Sequence, residues 1–80
     1  MMAAATPVSV DWWDREAPMD LRITDYLDKV GGQASEHLIC EKMGISYGKC
    51  REICHGLIRQ NVLYSYVRDE ILIFALEAAL

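Results

Sequence analysis

Two histidines and three cysteines stand between positions 37 and 55: His37, Cys40, Cys50, Cys54 and His55. Imidazole and thiolate are common zinc ligands, and a structural zinc site gathers four of them at tetrahedral corners. Two residues separate His37 from Cys40 and three separate Cys50 from Cys54, so each pair can share one helix face. The same positions have a plainer meaning. Each cysteine falls where an amphipathic helix needs a small apolar residue, and a free cysteine packs as a small hydrophobe. We read the three thiols as core and His55 as a surface residue, with no metal and no cofactor expected.

Other chemistry finds little support. There is no Gly-x-Ser-x-Gly elbow and no glycine-rich phosphate loop. Asp25 and Asp28 lie three apart, but on a helix face that reads as solvated. A chain of eighty residues rarely encloses a reaction cleft, and no catalytic residue is expected.

The cations are more informative. The net charge is −4, which is unusual for a nucleic-acid binder. Residues 1–20 carry Asp11, Asp14, Glu16 and Asp20 against Arg15. Residues 62–80 carry Asp69, Glu70 and Glu77 against Arg68. Residues 33–61 reverse the balance, with Lys42, Lys49, Arg51 and Arg59 against Glu36, Glu41 and Glu52. Only this middle part has a positive balance.

Three elements would position those cations. Asp20 is a candidate helix cap, followed by Ile23, Tyr26, Leu27 and Val30 at helical spacing and stopped by Gly31-Gly32, which predicts a helix over 20–30. Ser35 caps a second over 35–43, with Leu38 or Ile39, then Cys40 and Met43, inward and Gly44 ending it. Ser46 caps a third, 46–60, whose stripe is Cys50, Ile53, Cys54, Leu57 and Ile58. Gly56 inside it costs about 1 kcal/mol against alanine, which close approach of another element would explain. The period then changes. "VLYSYV" and "ILIFAL" read as antiparallel strands at 62–67 and 71–76, turned at "RDE".

Residues 1–18 read as a flexible tail and 19–80 as the folded domain, because small residues, Pro7 and Pro18 break any pattern. Within that tail Trp12 and Trp13 carry large apolar areas that either cap the core or dock a partner. The start "MMAAATPVSV" lacks the basic and apolar regions of a secretory leader, and no run reaches the roughly 18 apolar residues of a membrane span. An odd number of cysteines does not suggest a disulfide framework. The expectation is a protein of the cytoplasm, or of the nucleus in a eukaryote, with no membrane partner.

The stretches "LICEKMGIS" and "YGKCREICHGLIRQNVLYSYV" carry a resemblance. Ile39 and Cys40 before the turn, Met43-Gly44 within it, Ile45-Ser46 after it, and then Cys50, Cys54 and Leu57 resemble the winged helix-turn-helix superfamily over residues 20–76. The fold this implies is α+β, mainly α: three helices followed by a two-stranded antiparallel hairpin.

The function it implies is a small DNA-binding regulator. Its third helix would enter the major groove and present Ser46, Tyr47, Lys49 and Arg51 to base edges, with His55 also outward. Arg51 would make a bidentate contact to guanine, a pairing that discriminates roughly ten- to a hundredfold. Lys42 and Arg59 would meet phosphates, and Arg68 would serve in the wing, although Asp69 and Glu70 follow it directly. So few cations suit a homodimer better than a monomer. The alternative is a winged-helix protein-interaction module that contacts no DNA. It draws on the acidic total, on Trp12 and Trp13, and on the apolar "ILIFALEAAL".

Overall fold

A computed structural model describes residues 10–77 of the chain. The element order is α1 (Met19–Lys29), β1 (Gln33–Ser35), α2 (Glu36–Met43), α3 (Tyr47–Arg59), β2 (Tyr64–Arg68) and β3 (Ile71–Ala75). The sheet order is β1-β3-β2 and both pairings are antiparallel. This is a winged-helix fold, α+β and mainly helical.

Local signals account for most helix ends. The Ser35 hydroxyl accepts from the Leu38 amide at 3.2 Å, and the Ser46 hydroxyl from the Lys49 amide at 3.1 Å. Each satisfies one of the unpaired amides at a helix start. Gly44 ends α2 in the left-handed conformation at φ 69°. Asn61 ends α3 at φ 62°, where the Val62 amide bonds the Leu57 carbonyl and the Asn61 amide the Ile58 carbonyl. That double bond pattern is the Schellman closure.

Helix α1 differs from the sequence expectation. It starts at Met19 with Pro18 in the capping position, and Asp20 lies inside the first turn. Proline arrives with φ near its helical value, and the Asp20 carboxylate still favours the positive end of the helix.

The sheet also departs from the expected hairpin in two ways. Val62 completes the Schellman closure and the Leu63 amide also bonds the Leu57 carbonyl, so the first wing strand begins at Tyr64 rather than at 62. A third strand, β1, was not anticipated. It pairs Gln33 with Ala75, Ala34 with Phe74 and Ser35 with Ile73. The hairpin itself turns in two residues, Asp69 and Glu70, at φ 51° and 67°. Positive φ at both positions defines a type I′ turn, whose twist matches that of the paired strands.

Ile23 and Leu27 of α1, Ile39 of α2, Cys50 and Cys54 of α3, Leu63 and Phe74 form the fully buried centre. Burying a leucine, isoleucine or phenylalanine contributes about 1.5–3 kcal/mol, so these few contacts dominate a domain of this size. A Cβ at Gly56 would meet nothing within 4 Å, so no element approaches this glycine closely.

Residues 11–17, expected in a flexible tail, fold back onto α1. The Trp12 amide donates to Asp25 Oδ2 at 2.9 Å and its carbonyl accepts from Arg22 Nε at 2.7 Å. The Trp12 ring meets Tyr26 edge-on at 5.2 Å. Asp25 also accepts from Lys29 Nζ at 2.8 Å, so its face of α1 is a docking surface for Trp12 rather than a solvated one. Among the described residues no helix is long and apolar enough to cross a membrane.

Candidate nucleic-acid interface

The helical stripe of α3 fixes which side chains look outward. Cys50, Cys54 and Leu57 are buried, and the rotation of 100° per residue then turns Tyr47, Lys49, Arg51, Glu52, His55 and Arg59 away from the core. All eight positions expected to meet DNA are exposed: Lys42, Ser46, Tyr47, Lys49, Arg51, His55, Arg59 and Arg68. The first seven of these lie on or beside the α2–turn–α3 unit. Arg68 lies on the wing, with its guanidinium carbon 5.4 Å from the Tyr66 ring centroid.

The turn that sets this arrangement is held from within. The Gly44 and Ile45 amides both bond the Cys40 carbonyl, at 2.8 and 3.1 Å. Cys40 Sγ lies 3.8 Å from the Ser46 carbonyl oxygen. A Cβ at Gly44 would have open space, so its requirement is the left-handed backbone and not crowding.

The start of α2 is braced on the start of α3 by two successive residues. The Arg51 guanidinium donates from Nε to Glu36 Oε2 at 2.5 Å and from Nη2 to Glu36 Oε1 at 3.1 Å. His37 Nδ1 lies 2.7 Å from the Tyr47 hydroxyl, and His37 Nε2 lies 3.6 Å from Glu41. Tyr47 and Arg51 are one helical turn apart, as α3 requires if neighbouring residues of α2 are to reach both. Sequence reasoning gave Glu36 no role and treated His37 only as a metal ligand. No local spacing signals either contact, because they join residues 15 and 10 positions apart on different helices.

The electrostatics of the face are mixed. Lys49 pairs with Glu52 at 3.7 Å, and Arg51 with Glu36. Lys42, His55 and Arg59 have no ion pair among the described residues. The exposed Lys49–Glu52 pair is readily opened by solvent and salt.

The three thiols are interior groups. Cys50 and Cys54 have their sulfurs 3.9 Å apart and are wholly buried. Burial first, and then the neighbouring Cys50, push the Cys40 thiol up to about 11. The Cys50 thiol is raised above its ordinary value by its hydrogen bond with Cys54 and by burial. Zinc binds thiolates, and this environment opposes ionisation. Among the described residues no three His, Cys, Asp or Glu side chains are grouped to hold a metal ion.

The two tryptophans separate. Trp12 packs against the core, while Trp13 is 58% exposed. Trp13, Arg15 and Lys42 line a cleft beside the α2–α3 turn.

Comparison with known proteins adds no relative. No protein-family model matches the chain, and neither the curated proteins nor the solved structures yield a match.

Proposed function

We propose that this chain binds double-stranded DNA through the first turns of α3 and acts as a transcriptional regulator, in pairs, in the cytoplasm or nucleus. The observation that supports this best is the division of α3 into two sides. Cys50, Cys54 and Leu57 anchor it while Tyr47, Lys49, Arg51, His55 and Arg59 remain accessible along one braced helix. The capped end at Ser46 adds free amides suited to a phosphate. Glu52, in the middle of that face, can accept from the cytosine amino group.

An overall charge of −4 opposes approach to DNA, so binding should be tight only at low salt. Fluorescence anisotropy with mixed-sequence duplexes at 50 and 200 mM salt tests the reading. Binding that weakens with salt supports it. No salt-dependent binding at micromolar protein rejects it.

A second reading, as a protein-interaction module, is favoured by exposed apolar side chains. Trp13 lies exposed beside the turn, edge-on to Trp12, and the wing carries Val67 at 66% and Ile71 at 51% exposure. Isolated exposed residues of this kind are ordinary, but three large ones on so small a surface fit a docking role. Trp12 is part of the fold, so truncation of the N-terminal segment would confound the test. The substitution Trp13→Ala isolates the question. Loss of a captured partner with unchanged melting temperature favours this reading.

A further inference from the structure

We infer that Glu36 is a positioning residue that presets Arg51 to read a guanine. This inference rests on the DNA-binding reading above and goes beyond it by naming the base and the residue that enforces the choice.

A guanidinium is planar and carries five N–H donors in fixed directions. Two edges of that plane can each offer a pair of parallel donors. One edge is Nε with Nη2, and the other is Nη1 with Nη2. Glu36 occupies the first edge with both carboxylate oxygens. The second edge keeps both hydrogens of Nη1 and one of Nη2. A guanine presents O6 and N7 as two neighbouring acceptors in the major groove, which is the partner a donor pair of this kind fits.

Burial decides which end of the pair faces out. The Arg51 side chain is 55% exposed and that of Glu36 only 10%. Glu36 therefore lies behind the guanidinium, and the open edge lies toward solvent. The carboxylate is itself fixed. Glu36 is the first residue of α2, directly after the capping Ser35, and Ser35 is paired with Ile73 in the sheet.

An unbraced arginine samples many rotamers and contacts any phosphate within reach. Bracing removes that freedom before binding, so less is lost when the base contact forms. It also narrows the directions in which the donor pair can point. Base choice at one position is then a property of the Glu36–Arg51 pair and not of Arg51 alone.

The experiment is selection of bound sites from a randomised duplex pool, followed by binding of the selected site and its single-base variants. Wild type, Glu36→Gln, Arg51→Lys and the double variant Glu36→Gln with Arg51→Lys are compared. The wild type is expected to prefer guanine at one position by tenfold or more. Arg51→Lys keeps the charge and loses the fork, so the preference at that position falls below threefold while affinity for unrelated duplexes holds. Glu36→Gln retains Arg51 and lowers the same preference at least threefold, with the salt dependence unchanged. The double variant discriminates no worse than Arg51→Lys alone.

Full guanine preference in Glu36→Gln overturns the inference, whatever happens to stability. A loss in Arg51→Lys spread evenly over all sequences places Arg51 on a phosphate and overturns it as well. Failure of the wild type to bind any duplex in a salt-dependent way rejects the DNA reading itself, a result separate from these two. Should Glu36→Gln not fold, Arg51→Lys still decides whether a guanine is read.

Discussion

Arg51 and Glu36 are joined edge to edge, with two N–H···O contacts of 2.5 and 3.1 Å, across the two helices that form the turn. The pair is unequal in burial: the carboxylate is 10% exposed and the guanidinium 55%. Removing either partner therefore has different consequences. Arg51→Ala strands a buried carboxylate, while Glu36→Ala leaves a cation that water can reach. In thermal melts Arg51→Ala should lower the melting temperature by several degrees more than Glu36→Ala. The double variant should be milder than Arg51→Ala alone. The reverse order would mean that solvent already supports Glu36.

Two glycines should respond to alanine in opposite directions. Gly56 lies in the interior of α3 with no neighbour within 4 Å of a new Cβ, so Gly56→Ala should stabilise by about 0.5–1 kcal/mol. Gly44 sits at φ 69°, where a side chain costs about 1–2 kcal/mol, so Gly44→Ala should destabilise by that amount. Urea titrations of the two variants measure both shifts. A destabilised Gly56→Ala would reveal a contact of α3 that the isolated chain does not make.

The thiols give a pH signature. The Cys40 thiol is raised from 9.0 to about 11, chiefly by burial. A group that keeps its proton longer when folded contributes stability that is complete below the unfolded value. That contribution is lost as pH rises through the folded value. Stability should therefore decline between about pH 9 and pH 11, in the window set by Cys40. Native protein at pH 8 should react slowly with a disulfide reagent, and denatured protein should release three thiols at once. Fast reaction of the native state would show that the interior opens readily.

The hairpin turn carries strain that substitution can relieve. Asp69 and Glu70 both hold positive φ, which favours Asn and Gly at those positions. Asp69→Asn with Glu70→Gly should raise stability by about 1 kcal/mol, or roughly 4–8 °C for a domain of this length. Since the change also removes two negative charges beside Arg68, DNA affinity at low salt should rise with it. Higher stability with unchanged affinity would remove the wing from the interface.

Much of the scaffold is legible because its causes are local. Ser35 and Ser46 cap the helices they were expected to cap, and Gly44 adopts the left-handed form that the turn demands. Cys50, Cys54 and Leu57 fall inward from their spacing alone. In each case the deciding groups lie within one helical turn, where sequence distance and spatial distance agree.

By itself the sequence determined three helices, a hairpin and the outward face of α3. Only tertiary structure decided that Gln33–Ser35 is a strand, since three residues become one only when Ala34 meets Phe74 from the far end of the chain. It decided that Trp12 serves the core and Trp13 does not, through the position of Asp25 and Tyr26 on α1. It decided that Arg51 stands braced by Glu36, a contact set by how α2 crosses α3. Such a crossing depends on the packing of a whole interior, and no window of neighbouring residues contains it.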